Sequence, residues 1–316
     1  MTATASHSYG ASPAVRSAGR LFRFQVALGA LGTLVVAYAV VGVARATAVG
    51  APSVGDLLHA CWAVVPAGRT LPSFAVVALA ALSATSVVRG GASAFRRIRA
   101  QRRLVRALPP CAPATIGGTA VRVFRGDRPR AFCAGLARPR IFVSTGAWRL
   151  LSRDELAAVV AHERYHARRR DPARLLVIRV LRDALFFLPV LRDAERRYAA
   201  LVEVAADEAA VRSAGAEPLA SALLHFGEQP GGAVGIAAER VDHLLGEPPK
   251  WRLRVSLIVT AALALLGVVA LSATAPAGRV SAPLLAMQIC RVGMIVAPVI
   301  ALGMIVRRIL AASARR

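Results

Sequence analysis

The sequence predicts a mainly α-helical membrane protein in which four apolar helices flank a water-exposed domain of mixed helices and strands. Hydrophobic residues make up 56% of the 316 residues and the mean hydropathy is +0.54. That is more apolar than an average soluble protein. The apolar residues form four long runs and the arginines cluster between them, so a multi-span membrane protein is the first expectation.

Each apolar run is long enough to form a helix that crosses about 30 Å of hydrocarbon. A cleaved signal peptide is the alternative for the first run, but its apolar region would be only about 7 to 15 residues long. The fourth run is interrupted by Arg291 and contains Pro298. We expect Arg291 to face the helix bundle or the outer interface, because a guanidinium at mid-bilayer is costly. The predicted spans are 25–44, 70–88, 255–278 and 282–306.

Arginine clusters orient these spans. The net charge is +24, and Lys250 is the only lysine. Arginines precede the first and third spans and follow the second and fourth, whereas the loops 47–69 and 273–281 contain one each. The positive-inside rule therefore places both termini and the central segment in the cytoplasm. No basic groove with interleaved aromatic residues appears, so we expect lipid contact rather than nucleic-acid binding.

These patterns predict five parts. The chain divides into a cytoplasmic tail (1–24), two spans with a short outer loop (25–88), a cytoplasmic domain (89–254), two further spans (255–306) and a basic cytoplasmic tail (307–316). Four cysteines occur without a CxxC pair. They indicate neither a disulfide framework nor a cysteine-bound metal, and the most central of them, Cys133, is expected to act as a small buried hydrophobe.

The segment HERYH, within the central domain, matches the pattern HExxH. Ser152 and Glu155 form a capping-box signature, and apolar residues follow at helical spacing, so we predict a helix over 153–169. On this helix His162 and His166 lie one turn apart on one face, where both imidazoles can bind one zinc ion. Glu163 is placed to take a proton from the attacking water. The alternative is two solvent-facing histidines on an arginine-rich helix.

A catalytic zinc needs a third protein ligand and an open fourth position. A long helix is predicted to end at Gly215, and on it Glu203 and Asp207 lie four residues apart among alanines and valines. We predict Glu203 as the third ligand and Asp207 as the acceptor that fixes the tautomer of a ligand histidine. An exposed acidic helix face is the alternative.

The combination of HERYHARRRDP, FFLP at 186–189, EVAADEA at 203–209 and RAFCAGLARPRIFVSTG at 130–146 resembles a known family. It is similar to the BlaR/MecR-type integral-membrane zinc metallopeptidases, which share the minimal gluzincin core with HtpX and the CAAX prenyl proteases. The resemblance implies a cytoplasmic α+β domain with a small sheet, an HExxH helix and an ExxxD helix. It also implies one zinc per chain bound by His162, His166 and Glu203, with Glu163 as general base and acid and Asp207 in support.

This chain departs from the antibiotic-sensing members of that family. It ends soon after the fourth predicted span, so we expect no penicillin-binding sensor domain. Three residues before Lys250 stands Glu247, so the chain contains no Ser-x-x-Lys acylation site.

A short β-forming stretch, Ile141, Phe142, Val143 and Ser144, is predicted as the substrate-binding strand. At a sheet edge beside the zinc it would hold an extended peptide by β-augmentation. The alternative is an interior strand. None of His225, His243, Tyr198 and Arg240 is assigned as an oxyanion donor. The helix predicted over 171–188 is too charged to span the membrane. Its apolar residues are explained either by contact with the inner membrane face or by packing on the HExxH helix, and both explanations stay open.

The predicted function is zinc-dependent hydrolysis of peptide bonds in a cytoplasmic or membrane-proximal protein, with a transcriptional repressor as one candidate substrate. Two alternatives stay open: an HtpX-like quality-control protease of membrane proteins, and a non-catalytic scaffold stabilised by zinc. An intact Glu163 argues against the scaffold, because a structural zinc has no use for a base. The partners expected are the protein substrate and the lipid bilayer, and the sequence leaves the oligomeric state open.

Overall fold

The computed structural model describes residues 13–46, 70–227 and 254–273. Within them, three helices are long and apolar enough to cross a membrane: α1 (Pro13–Ala46), α2 (Thr70–Arg106) and α8 (Val255–Ala273). They overlap three of the four predicted runs, so the described residues form a mainly helical protein with three candidate membrane helices. The fourth run, 282–306 with Arg291, lies outside the described residues.

Helix α2 extends well beyond the predicted second span. It has 37 residues and continues without a break past residue 88, so the arginines between 89 and 106 lie on a helix. Arginine and alanine are good helix formers, which explains why the polar segment continues the helix. The predicted start of the cytoplasmic domain at residue 89 therefore falls within a helix.

The described residues form two compact units. One contains those up to Ala30 together with those from Val88 to Ala261, and the other contains the rest. All strands and the candidate site lie in the first unit.

The first unit contains four described strands: β1 (Cys111–Ile116), β2 (Thr119–Phe124), β3 (Ala131–Ala134) and β4 (Arg140–Ser144). They form a small mixed sheet in the order β1-β2-β4-β3. Strands β1 and β2 form a hairpin, β2 pairs with β4 in parallel, and β3 pairs with β4 antiparallel. Alternation along β4 directs Ile141 and Val143 into the core shared with helix α4 (Arg153–Arg169).

Between the sheet and residue 227 the structure describes five helices, and three of them carry the candidate site. The five helices are α3 (Thr145–Leu150), α4, α5 (Asp171–Ala184), α6 (Pro189–Ala214) and α7 (Ala216–Gly227). Helix α6 packs along α4. At their contact Ala158 of α4 and Ala210 of α6 are both fully buried, and such small side chains let the helix backbones approach closely.

The limits of α4 agree with the predicted helix over 153–169. The Ser152 hydroxyl accepts from the Glu155 backbone N–H, and the Glu155 carboxylate accepts from the Ser152 backbone N–H. This reciprocal pair satisfies two N–H groups that a helix start leaves without partners. Helix α6 ends as predicted, with Gly215 at its C-cap at φ 94°.

Helix α5 ends at Ala184, four residues before the predicted limit. Its buried face packs against α6, where Ile178 contacts a cluster containing Tyr198 and Leu201. The preceding residue, Val177, lies about 100° away around the helix and is 44% exposed. Packing within the protein therefore accounts for one apolar face of this charged helix.

Candidate metal centre

Three side chains from two helices converge in the first unit: His162 and His166 of α4 and Glu203 of α6. Their possible ligand atoms all lie within 4.8 Å of one another. The two histidine Nε2 atoms are 3.1 Å apart. Glu203 Oε2 is 3.5 Å from His162 Nε2, and Glu203 Oε1 is 3.7 Å from His166 Nε2. The structure thus brings together the three residues predicted as metal ligands.

A carboxylate stands behind each histidine. Asp207 Oδ1 lies 2.9 Å from His162 Nδ1, and Asp171 Oδ2 lies 3.1 Å from His166 Nδ1. Both aspartates are about 1% exposed, so they are shielded from water and each has an imidazole among its polar neighbours. Each contact favours the tautomer with the proton on Nδ1, which leaves the Nε2 lone pair directed at the centre of the site.

This donor arrangement fits a metal ion. Two Nε2 lone pairs only 3.1 Å apart repel each other unless a cation or a proton lies between them. Two nitrogen ligands of one tetrahedral metal at ordinary bond lengths lie about 3.3 Å apart. Glu203 adds an oxygen donor with a 41% exposed side chain, so the site opens to solvent on the side of this carboxylate.

The charges at the site act strongly on His162. Burial lowers the pKa of His162, but the carboxylates of Asp207 and Glu203 outweigh burial and raise the pKa to about 10. The imidazole therefore holds a proton at neutral pH when no metal is bound. A bound metal must displace that proton.

Glu163, the predicted general base, lies near strand β3. Burial, helped by the negative charges of Glu163 and Asp171, raises the pKa of the Cys133 thiol to about 12. Cys133 therefore stays protonated at neutral pH, and a protonated thiol is a poor metal ligand. Its partial burial fits the predicted role of a small hydrophobe.

Strand β4 is an interior strand, the alternative that the sequence left open, and not a sheet edge. Strand β4 lies between β2 and β3, and Ile141, Phe142 and Val143 are all buried. The Ser144 hydroxyl caps α3 by accepting from the Ala147 N–H and also accepts from the Arg130 N–H. These four residues build the core and a turn, and the sheet edge beyond β4 is β3.

The unassigned oxyanion candidates divide into two groups. Tyr198 is fully buried, and its hydroxyl lies 3.5 Å from Asp171 Oδ1, to which it donates. His225 lies on α7, with its Nε2 atom 3.7 Å from the Glu155 carboxylate at the start of α4. Tyr198 therefore supports the carboxylate of Asp171, which in turn contacts His166. Arg240 and His243 lie outside the described residues.

Asp171 is a site residue that the sequence analysis missed. Arg170 ends α4 in the left-handed conformation at φ 54° and also begins α5. This one-residue turn brings Asp171 back against His166, five positions earlier. The available signal was the stretch RRDP, because proline is favoured in the first turn of a helix and the aspartate before it then begins α5.

Comparison with known proteins finds similarity to peptidases over part of the chain. Residues 127–232 match the family model described as BlaR1 peptidase M56. The resemblance to the BlaR/HtpX-type membrane metallopeptidases is confirmed. The matched segment contains β3, β4 and every residue of the metal centre.

A relative of the HtpX type also matches. The protein named Protease HtpX homolog from Thermoplasma acidophilum is 41% identical over 63 residues. That alignment covers 19% of this chain and 20% of the relative, so the chain spans about a fifth of the curated relative it matches. Both matches are therefore to peptidases, and both cover part of the chain.

Proposed function

We propose that this protein is a membrane-embedded zinc-dependent endopeptidase. The observation that carries the proposal is the convergence of His162, His166 and Glu203 with a buried carboxylate behind each histidine. Two imidazoles and one carboxylate form the ligand set of the HExxH metallopeptidases, and they leave one position of a tetrahedral zinc open. We expect one zinc ion per chain.

The residues of this chain would divide the chemistry as follows. Zinc, when bound, supplies a Lewis acid that polarises the scissile carbonyl. Glu163 takes a proton from the attacking water and then gives it to the leaving amine. Asp171 and Asp207 keep the imidazoles in the tautomer that presents Nε2 to the metal. Hydrolysis in this scheme proceeds without a covalent intermediate.

Strand β3 is the candidate surface for the substrate backbone. It is an edge of the sheet, and its thiol-bearing residue Cys133 is influenced by the charge of Glu163. An edge strand offers backbone N–H and C=O groups that an extended peptide pairs with as an added strand. We therefore assign the substrate-binding role to Ala131–Ala134 of β3 and no longer to residues 141–144 of β4.

The membrane location suggests where the substrate is found. Three candidate membrane helices support a multi-span protein, and the arginine distribution favours a metal centre on the cytoplasmic side. The substrate is then a cytoplasmic or membrane-proximal protein, such as a transcriptional repressor cut in response to a signal. Nucleic-acid binding is not part of the proposal.

A quality-control protease acting on membrane proteins is the second candidate, and the match to the HtpX homolog favours it. A non-catalytic zinc scaffold is the third, and the presence of Glu163 beside the ligands argues against it. Cleavage of many unfolded membrane proteins would favour quality control, whereas cleavage of one folded cytoplasmic protein would favour signalling.

The test is metal analysis of the full chain purified in detergent, followed by digestion of an unfolded reporter protein. We expect about one zinc per chain, loss of cleavage after treatment with a chelator, and recovery on adding zinc. Absence of a bound transition metal in freshly purified protein that also shows no uptake of added zinc would contradict the proposal.

A further inference from the structure

Helix α5 carries one buried or partly buried aspartate near each end. Asp171, its first residue, contacts the Nδ1 atom of His166. Asp183, twelve residues later, contacts helix α2. At 1.5 Å per residue the two aspartates lie about 18 Å apart along one helix, so α5 connects the metal centre with α2.

The contact between Asp183 and α2 consists of several hydrogen bonds. The Ser93 hydroxyl donates to Asp183 Oδ2 at 2.6 Å, and Arg97 Nη2 donates to the same oxygen at 3.2 Å. Arg97 Nε also donates to the Ser93 hydroxyl at 3.1 Å. Arg89 Nε donates to the Asp183 backbone carbonyl at 3.2 Å. We call this group of residues on α2 and α5 the Asp183 clasp.

The second carboxylate oxygen of Asp183 extends the clasp to α6. Arg182 donates to Asp183 Oδ1 from Nη2 at 2.7 Å and from Nε at 3.0 Å. Arg182 also pairs with Glu195 of α6, whose carboxylate accepts from Arg179 at 3.0 Å as well. Helix α6 carries Glu203 and Asp207, so both helices that complete the metal centre meet at the clasp.

Close packing accompanies these bonds. A Cβ atom placed on Gly90 of α2 would lie 2.9 Å from the Cβ atom of Ala184 in α5. The two helices therefore approach more closely than a side chain at position 90 permits. Burial raises the pKa of Asp183, but hydrogen bonds from Ser93, Arg182 and Arg97 outweigh burial and lower the pKa to about 2. The Asp183 carboxylate is therefore ionised at physiological pH.

We propose that Asp183 is a positioning residue of the metal centre, which fixes α5 against α2 so that Asp171 holds His166 in its metal-binding orientation. The proposal rests on the proposed function, because it assigns a metal to His166. Since α2 is also a candidate membrane helix, a displacement of its clasp segment would reach His166 through α5.

The test is Co²⁺ binding to the full chain in detergent, followed by the visible absorption band that reports cobalt coordination. The variants are Asp183→Asn, the milder Ser93→Ala, Asp171→Asn and the double variant Asp171→Asn/Asp183→Asn. Asp193→Asn is the matched control, because Asp193 pairs with Arg197 on α6 at 2.8 Å with a similar, partly exposed side chain. Thermal unfolding of each variant checks that it is folded.

We expect Asp183→Asn to weaken Co²⁺ binding about tenfold, within the range typical of residues that support metal ligands, and to alter the visible band. Ser93→Ala should act in the same direction, and the control should bind as the wild type does. The double variant should bind as Asp171→Asn alone does, because residues that act through one another are not additive.

Two outcomes would overturn the inference: wild-type binding by folded Asp183→Asn and Ser93→Ala, or a double-variant loss equal to the product of the single losses. If Asp183→Asn does not fold, the result for Ser93→Ala decides. A wild-type chain that binds no Co²⁺ at all would instead contradict the proposed function, and the inference would fall with it.

Discussion

The Nδ1 atom of His166 lies 3.1 Å from the Oδ2 atom of Asp171, a residue that begins the helix after the metal helix. The left-handed conformation of Arg170 makes this contact possible, because it ends α4 and begins α5 within one residue. His162 has the equivalent contact with Asp207, 2.9 Å away on α6. The two histidines are therefore oriented from two different helices.

Removing the carboxylate charge of Asp171 or Asp207, which contact the Nδ1 atoms of the two histidines, should weaken metal binding without removing a metal ligand. We expect Asp171→Asn and Asp207→Asn each to lower zinc affinity by about 10 to 100-fold, measured by competition with a chromogenic chelator. Asp154→Asn, an exposed position in the first turn of α4, is the control and should bind zinc normally. Unchanged affinity in both test variants would show that the carboxylates do not support the ligands.

Metal affinity should rise with pH through the neutral range. The metal-free His162 has a pKa raised to about 10, so a proton occupies the imidazole at neutral pH and competes with the metal. Displacing one proton makes the apparent affinity increase about tenfold per pH unit below that pKa. Titration calorimetry in buffers of different ionisation enthalpy measures the protons released, and a value of zero at pH 7 would contradict this reading.

The neighbourhood of Cys133 and Glu163 can be tested by thiol reactivity in the metal-free protein. Burial raises the pKa of Cys133 first, and the charge of Glu163 raises it further. Glu163→Gln should therefore lower the pKa of Cys133 and speed its alkylation, whereas Glu155→Gln should not. Mass spectrometry of the Cys133 peptide gives the alkylation rates. Equal rates in both variants would show that Glu163 does not lie close enough to β3 to affect the Cys133 thiol.

Orientation in the membrane is tested by labelling. Single cysteines placed at positions 100, 168 and 312 should react with a membrane-impermeant reagent only after the membrane is permeabilised, because positive-inside charge places them in the cytoplasm. A cysteine at position 50 should react in intact cells. Labelling of position 168 from outside would overturn the cytoplasmic location of the metal centre.

Local signals account for what the sequence revealed about this site. Helix α4 has a capping box, helical periodicity and a motif whose ligands lie one turn apart, so its limits and its metal-binding face follow from neighbouring residues. Helix α6 ends at Gly215, the usual residue for that position. Glu203 and Asp207 follow from the same one-turn spacing.

Long-range contacts account for what the sequence did not reveal. Strand β4 is interior because β3 pairs with its free side. Strand β3 has only four residues, AFCA, and is too short to show a clear alternating pattern in the sequence. Asp171 reaches His166 only because Arg170 adopts a left-handed conformation that is uncommon for residues other than glycine. The extension of α2 to Arg106 was hidden because arginine clusters mark membrane topology and favour helix at the same time.

Glu163→Gln tests the central claim most directly. The substitution keeps the size of the side chain and removes the base, while His162, His166 and Glu203 remain to bind zinc. In detergent-purified full-length protein we expect about one zinc per chain in both forms and cleavage of an unfolded reporter by the wild type alone. Equal cleavage by the two proteins at equal zinc content would contradict the assignment of this site as a metallopeptidase centre with Glu163 as its base.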